Sequence, residues 1–215
     1  MLYQATPRVI RNVCLVAHVD HGKTTFADCL LAANNVISRR LAGKLRFMDT
    51  RDDEQRRGIT MKASVTSVLF PPMVVNIVDS PGHVEFTAEV ADALLLADTV
   101  LLLVDAVEGV RSQTESLLRL AVSNGQTVIL VINKIDRLRV ELKMSEGDAH
   151  TRIREIIEHT NGCLSQILRG FLSDDSWNDM DEVERRMHFE PSKLNVLFAS
   201  ATRSFAFSLL DFAEM

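Results

Sequence analysis

The sequence of 215 residues is poor in several residue types, and each shortage excludes a class of protein. Its three cysteines, Cys14, Cys29 and Cys163, are too few and too scattered for a disulfide framework or a zinc site. We interpret Cys14 and Cys29 as buried, reduced side chains. No apolar run approaches the ~20 residues of a membrane span, and the amino-terminal MLYQATPRVIRN lacks the apolar core of a signal peptide. We therefore expect a soluble, cytoplasmic protein without a membrane partner.

The chain also lacks an excess of positive charge. Its formal net charge of −5 argues against a surface that coats DNA, although it permits a local contact with structured RNA. A composition with 47% hydrophobic and 25% charged residues is typical of a globular protein and excludes wholesale disorder. The length favours a single α/β domain that carries an insertion.

What the sequence contains is an alternation of short apolar runs with segments of helical period, which predicts an α/β fold. The predicted strands are 12–19, 62–70, 74–79, 99–105, 127–132 and 195–199. The predicted helices are about 23–34, 85–97, 112–123, 146–160 and 204–214. We expect a mostly parallel six-stranded sheet with helices on both faces, in which 62–70 is an antiparallel edge strand that turns at Pro71-Pro72.

Two helix starts and two irregular segments complete this outline. Ser112 with Glu115 and Ser145 with Asp148 have the spacing of capping boxes. The charged segment 35–60 shows no clear periodicity, and a loop of that length in a compact domain is usually functional. We interpret 161–191, with its acidic run SDDSWNDMDEVERR, as a solvated and partly helical insertion rather than a metal-binding loop, because it lacks a regular spacing of oxygen ligands.

The stretch AHVDHGKTT, from Ala17 to Thr25, follows the first predicted strand and nearly matches the phosphate-binding pattern G-x-x-x-x-G-K-[ST]. In such a loop Gly22 allows close backbone approach, Lys23 reaches the β- and γ-phosphates, and the Thr24 hydroxyl is a Mg²⁺ ligand. The alternative is a chance G-K-T at a strand–helix junction, since Ala17 replaces the first glycine.

A second motif, DSPGH, begins at Asp79 at the end of a predicted strand. Asp79 can hold Mg²⁺ through water, and Gly82 can donate its N–H to a γ-phosphate. His83 can then orient or polarise an attacking water. The alternative is a turn that ends the strand and is punctuated by Pro81-Gly82.

A third motif, NKID, follows the strand at 127–132. The Asp136 carboxylate can accept from N1–H and the 2-amino group of guanine, which adenine does not offer together, so this residue selects guanine. Asn133 can brace the loop, and Lys134 can lie over the base.

Two weaker features stand beside these motifs. Ser200-Ala201 follows the last predicted strand, where a backbone N–H can meet guanine O6. Thr60, in RRGIT, can ligate Mg²⁺ while a γ-phosphate is present and swing away after hydrolysis. The alternative for Thr60 is a solvated loop residue.

In order, spacing and wording, these motifs resemble the guanine-nucleotide domain of translational GTPases of the elongation factor 2 and elongation factor G branch. That branch carries AHVDHGK[ST]T, so the resemblance makes Ala17 a family residue. It covers essentially the whole chain, 161–191 least well, and implies a P-loop NTPase of the Ras-like G-domain class over 1–215, with a switch loop at 35–60. It also implies GTP and GDP as ligands, Mg²⁺, and hydrolysis of GTP to GDP and phosphate.

The resemblance assigns roles residue by residue. Lys23, Thr60 and His83 are the expected catalytic residues. Thr24 and Thr60 are expected to ligate Mg²⁺, Asp79 to act through water, and Asp20 to hold a K⁺ or Na⁺ ion beside the phosphates. The expected nucleotide-binding residues are His18, Val19, Asp20, His21, Gly22, Lys23, Thr24, Thr25, Asp79, Gly82, Asn133, Lys134, Asp136, Ser200 and Ala201. For the side chains of His18 and His21 we expect loop packing.

Within the branch, LAGKLRFMDTRDDEQRRGITMKAS and INKIDRLRVELKM are more similar to elongation factor-like GTPases of large-subunit maturation than to the translocase. The translocase typically has CITIKST at the first switch and MNKMDR at the guanine loop. In this chain Gly58 and the run 137–143 match the maturation factor instead. The resemblance implies a cytoplasmic monomer that acts on the large ribosomal subunit, through its rRNA and protein, to release an anti-association factor.

Three alternatives remain. The first is an elongation translocase, and the second is a nucleotide-sensing module with negligible turnover. The third is a fragment, because the family's further domains, which meet the ribosome and a cofactor protein, are absent from the sequence.

Overall fold

The computed structural model describes residues 9–43, 45–171 and 177–214, in which seven strands form one sheet. The strands are β1 Ile10–Ala17, β2 Ser64–Phe70, β3 Met73–Asp79, β4 Thr99–Asp105, β5 Thr127–Asn133, β6 Val196–Ser200 and β7 Phe205–Phe207. Their order across the sheet is β2-β3-β1-β4-β5-β6-β7. The five inner strands run parallel, and the two edge strands are antiparallel to their neighbours. The predicted fold class and the antiparallel edge at 62–70 are confirmed.

The helices cover both faces of this sheet. They are α1 Lys23–Ala33, α2 Asp52–Arg57, α3 Thr87–Leu95, α4 Ser112–Ser123, α5 Ile135–Val140, α6 Glu146–Phe171, α7 Trp177–Met187 and α8 Leu209–Glu214. Helix α1 contributes to the apolar core on one face, and α3, α4 and α6 build the core on the other.

Strand β4 shows why the sheet is buried on both sides. Its sequence TVLLLVD is almost continuously apolar, and its side chains point to opposite faces in alternation. Val100, Leu102 and Val104 belong to the core that α3, α4 and α6 cover, whereas Leu101 and Leu103 belong to the core beside α1. Each face of the strand therefore needs its own layer of helices.

The segment 161–191 differs from its prediction because helix α6 does not end at residue 160. It continues to Phe171, since Cys163, Leu164, Ile167 and Leu168 extend the apolar stripe of Ile156 at helical spacing. Helix α7 follows. Residues 172–176, which include the first four residues of the acidic run, lie outside the described residues, as does the amino-terminal stretch 1–8.

The prediction of one helix over 204–214 is wrong. Phe205–Phe207 form β7, which pairs with β6 and makes the sheet seven-stranded rather than six-stranded. The alternating aromatic residues favour a strand, and Phe207 packs against Phe198 of β6 with ring centroids 5.5 Å apart. Ser208 then starts α8, where its hydroxyl accepts from the Asp211 N–H and its own N–H donates to the Asp211 carboxylate.

Two predictions about caps and loops also need correction. The capping pair of α4 is shifted by one residue, because the Arg111 N–H donates to Thr114 Oγ1 while Ser112 is already helical. The predicted pair Ser145 and Asp148 is present at the start of α6. The segment 35–60 is not entirely irregular, since it contains α2, whose acidic first turn and basic last turn match the helix dipole.

No helix in the described part of the chain is long and apolar enough to cross a membrane.

Leu102 offers a test of the two-sided core. The side chain is fully buried in β4, so Leu102→Ala should lower the free energy of unfolding by about 2–5 kcal/mol. Leu95→Ala is the matched control, because Leu95 is 71% exposed and should change stability by less than about 0.5 kcal/mol. Urea unfolding followed by circular dichroism measures both, and equal effects would contradict the assignment of Leu102 to the core.

Candidate functional site

The four predicted loops meet at one edge of the sheet. They follow β1, β3, β5 and β6, which run parallel, so their carboxyl ends lie side by side. Two adjoining clefts of about 280 and 790 Å³ open between these loops. Both clefts are lined by Gly22, Thr25 and Lys134, so they are direct neighbours that share these three residues.

The first cleft contains most of the predicted phosphate and metal residues. Its lining includes His18, Val19, Asp20, Gly22, Lys23, Thr24, Thr25, Thr60, Gly82 and His83. Gly22 precedes α1 with φ of +92°, and a Cβ there would lie 2.6 Å from the side-chain nitrogen of Asn133. Only glycine fits this position, which places backbone N–H groups at the amino terminus of α1, a favourable setting for an anion.

A buried ion pair lies below this cleft. The Lys23 ammonium donates to Asp79 Oδ1 at 2.6 Å, and both side chains are almost inaccessible to solvent. Burial raises the pKa of Asp79, and the charge and hydrogen bond of Lys23 oppose that rise. A phosphate that attracts Lys23 would compete with Asp79 for the same ammonium group.

The hydroxyl groups expected at a Mg²⁺ ion are already in contact. Thr24 Oγ1 and Thr60 Oγ1 lie 2.9 Å apart, and Thr60 also donates to Asp49 Oδ1 at 2.8 Å. Asp79 Oδ2 is buried and has no hydrogen-bond partner within the described ranges. Hydroxyl and carboxylate oxygens are the donors that Mg²⁺ prefers, so the residues present fit this ion.

Asp20 and His83 stand at the rim of the cleft rather than in its floor. Asp20 is exposed and has φ of +62°, a conformation that aspartate tolerates better than most residues. The His83 side chain is 38% exposed, and its Nδ1 accepts from the N–H of Glu85 at 3.3 Å. In the neutral ring this bond leaves the proton on Nε2, which is then a donor.

The two histidines of the phosphate loop pack against each other, as we expected. His18 and His21 form an edge-on contact with ring centroids 5.1 Å apart. His21 is fully buried, and its Nδ1 accepts from the N–H of Asp105 at 3.2 Å. Burial lowers the pKa of His21, which favours the neutral ring. Its role in this structure is therefore to pack the loop onto the end of β4.

The second cleft contains the predicted base-binding residues. Asn133, Lys134, Asp136 and Ala201 all line it. Asp136 Oδ1 is buried and unpartnered among the residues described here, whereas Oδ2 lies 3.6 Å from Nε of Arg203. An unpaired carboxylate oxygen facing a cleft is a strong acceptor site for a ligand that carries N–H groups.

Asn133 performs the bracing that its motif predicts. Its side-chain nitrogen donates to His21 O at 2.9 Å, and its side-chain oxygen accepts from the Ala201 N–H at 3.1 Å. The sequence predicted that a backbone N–H of Ser200-Ala201 meets guanine O6, and the N–H of Ala201 is engaged within the protein. Ser200 is fully buried and accepts from the Arg203 N–H, so its side chain shapes the loop rather than lining the cleft.

Three buried carboxylates that the motifs did not indicate hold the chain before and after α2 in place. Asp28 accepts from the N–H groups of Gly43, Arg46 and Phe47 at 2.9 to 3.2 Å. Glu54 accepts from the N–H groups of Met61 and Lys62, directly after Thr60, and Asp49 accepts from Thr60 itself. The backbone partners of Asp28 and Glu54 are not visible in the sequence, and only the excess of acidic residues in 35–60 signalled Asp49 and Glu54.

Gln113 of α4 is a further residue that the motifs did not indicate. Its amide oxygen lies 2.7 Å from Nδ1 of His18, and its amide nitrogen donates to Gly82 O at 2.5 Å. One side chain thus bridges the phosphate loop and the DSPGH segment, and it fixes the peptide that joins Gly82 to His83.

Gln113→Leu should therefore loosen the segment that carries His83. Losing a hydrogen bond worth about 0.5–1.5 kcal/mol should speed amide hydrogen exchange at residues 83–86 by roughly three- to tenfold. Gln166→Leu, at an exposed position of α6, is the matched control and should leave these residues unchanged. Unaltered exchange in the Gln113 variant would show that the bridge does not restrain the loop.

Comparisons with known proteins agree with this geometry. The family model of the elongation factor Tu GTP binding domain matches residues 8–214. Ribosome assembly protein 1 of Schizosaccharomyces pombe is 46% identical over 217 residues, which cover 95% of this chain and 22% of that protein. Elongation factor-like GTPase 1 of Homo sapiens is 40% identical, covering 96% and 21% respectively. Elongation factor 2 of Staphylothermus marinus is 39% identical, covering 93% and 26%.

A solved structure, that of a bacterial selenocysteine-specific elongation factor, supports the fold. It superimposes with a TM-score of 0.61 at 24% identity, over 90% of this chain and 26% of that one. The chain thus spans about a fifth to a quarter of the length of the curated relatives it matches.

Proposed function

The chain belongs to the elongation factor Tu GTP-binding domain family, and on that premise we propose that it binds GTP with Mg²⁺ and hydrolyses it, under stimulation by the large ribosomal subunit. One observation carries this proposal. Two buried carboxylate oxygens, of Asp79 and Asp136, lack hydrogen-bond partners in the described structure. Asp79 is paired with Lys23, which lines the first cleft, and Asp136 lines the second. The Asp79 oxygen suits a hydrated cation at the phosphates, and the Asp136 oxygen suits the N–H edge of guanine.

The residues of the first cleft would divide the chemistry between them. The Lys23 ammonium would leave Asp79 and pair with the β- and γ-phosphates, where it would offset developing negative charge. Thr24 and Thr60 would hold Mg²⁺ directly and Asp79 through water; when bound, the ion neutralises charge on the phosphate oxygens. Because Thr60 is tied to Asp49, its contact with the ion would couple to the segment that precedes it.

His83 would act on the attacking water. With Nδ1 accepting from the Glu85 N–H, a neutral ring presents only a donor at Nε2, which can orient water but cannot take its proton. A shift of this half-exposed ring toward the γ-phosphate therefore has to accompany efficient turnover. This requirement supports slow hydrolysis by the chain alone and activation by an external surface, for which we propose ribosomal RNA.

Asp20 is the proposed ligand of a K⁺ or Na⁺ ion beside the phosphates. An exposed carboxylate at an anion-binding cleft would otherwise repel the ligand. A cation between the two would convert that repulsion into attraction.

For the biological process we propose cytoplasmic maturation of the large ribosomal subunit, ending in release of an anti-association factor. The relatives named for ribosome assembly and as elongation factor-like GTPase support this process, together with Gly58 and the run 137–143. The second candidate is translocation during elongation, which the similarity to elongation factor 2 supports. We propose that the chain is a monomer. We propose contact with a maturation cofactor protein only for full-length members of the family.

Asp136→Asn tests the base-binding cleft. The amide replaces an acceptor by a donor, so affinity for GDP should fall by at least about 100-fold, and xanthosine diphosphate should bind better than GDP. Titration with fluorescent GDP and competition by both nucleotides measures the switch. Arg139→Gln, outside the clefts, is the control. Undiminished GDP affinity in D136N would refute the assignment.

His83→Ala tests the catalytic proposal. GTP turnover in the presence of purified large ribosomal subunits should fall by about 10²–10⁴-fold, while GTP affinity stays within a few-fold of the parent protein. His150→Ala, at an exposed position of α6, should behave like the parent chain. If the parent chain binds GTP but subunits do not accelerate its turnover, ribosomal activation of this chain is wrong.

A further inference from the structure

A second group of ligand-type side chains lies away from the nucleotide clefts. Glu115 of α4 and His159 and Cys163 of α6 offer one oxygen, one nitrogen and one sulfur atom respectively, and these atoms all lie within 4.8 Å of one another. His159 and Cys163 are four residues apart, so they project from the same face of α6 one turn apart.

The packing of the two helices brings this group together. Leu118 of α4 and Leu164 of α6 are buried in the same apolar cluster, which sets the two helix axes side by side. Cys163 is only 8% exposed and forms the floor of the group, whereas Glu115 and His159 are exposed. The arrangement therefore has a buried sulfur, a flexible rim and direct access from solvent.

The three donor types are those that Zn²⁺ binds in proteins. A tetrahedral Zn²⁺ with one sulfur and one nitrogen ligand needs these atoms about 3.5 Å apart. The exposed Glu115 and His159 side chains can close the remaining distance of about 1 Å by small torsional changes. Three protein ligands leave the fourth position to water, as in zinc sites that are open on one side.

A cation suits this place because the Glu115 carboxylate lies close to the Cys163 sulfur and the His159 ring nitrogen. Zn²⁺ would displace the thiol proton to solvent, form the S–Zn bond with the resulting thiolate, and neutralise the Glu115 carboxylate.

We propose that Glu115, His159 and Cys163 form a Zn²⁺ site that clamps α4 to α6, independent of the Mg²⁺ expected at the nucleotide. Neither the sequence motifs nor the family membership points to this site. It also revises the view that the cysteines cannot contribute to a metal site, because a single cysteine suffices when histidine and glutamate supply the other ligands.

Metal titration of the full chain tests the proposal. In excess Mg²⁺, which fills sites made of hard oxygen ligands, Zn²⁺ should bind with a stoichiometry of one per chain by calorimetry. Co²⁺ in place of Zn²⁺ should produce a thiolate-to-cobalt charge-transfer band and d–d bands of tetrahedral intensity. Thermal unfolding should shift to higher temperature with Zn²⁺, because the ion binds only the folded arrangement.

Variants locate the ion. Cys163→Ser should abolish the charge-transfer band, and His159→Ala and Glu115→Gln should each weaken Zn²⁺ binding at least about tenfold. Because His159 and Glu115 are exposed, their variants should keep the circular dichroism spectrum of the parent chain even if Cys163→Ser unfolds. Cys29→Ser and His150→Ala are matched controls that should bind Zn²⁺ normally.

Two results would overturn the site. One is the absence of stoichiometric Zn²⁺ uptake by the parent chain. The other is uptake that survives H159A and E115Q unchanged, which would place the ion elsewhere.

Discussion

The candidate site depends on one buried side chain, the amide of Asn133. Its nitrogen donates to the backbone carbonyl of His21, and its oxygen accepts from the N–H of Ala201. The backbone carbonyl of Asn133 accepts in addition from the N–H of Ala106. The loops after β1, β4 and β6 are therefore fixed to the end of β5 by groups with no access to water, where a lost hydrogen bond is costly. The same amide lies where a Cβ of residue 22 would have to go, so the bracing and the glycine of the phosphate loop are a single constraint.

Around this brace, most polar groups at and below the first cleft pair with one another, and Asp79 Oδ2 is the exception already described. Lys23 pairs with Asp79, and Thr24 pairs with Thr60, which in turn donates to Asp49. A buried ion pair attracts strongly only because both charges have lost water, so breaking it without a substitute is expensive. A nucleoside triphosphate with its cation, as proposed for this cleft, would be such a substitute, because it offers an anion to the ammonium and a cation to the carboxylate. On that proposal, ligand binding exchanges the partners of Lys23 and Asp79.

The parts of the site that the sequence predicted are those encoded within short stretches. GKTT, DSPGH and NKID each lie at or shortly after the carboxyl end of a strand. The parallel sheet brings those ends together, independently of the sequence between them. Gln113, Asp28 and Glu54 were not predictable in this way, because each acts on backbone groups whose position only the fold defines. The strand at Phe205–Phe207 was missed for a related reason. Its pattern is too short to distinguish a strand from a helix until Phe198 supplies a partner.

Helix α4 contacts both the first cleft, through Gln113, and helix α6, through Glu115. Residues two apart on a helix do not face the same neighbour, so Gln113 reaches Gly82 and His18 while Glu115 faces α6. Farther along the helix, Leu117, Leu118 and Ala121 are buried in the apolar core and pack α4 onto the sheet. Through Gln113 and Glu115, one helix thus contacts both the segment that carries His83 and the neighbouring helix α6.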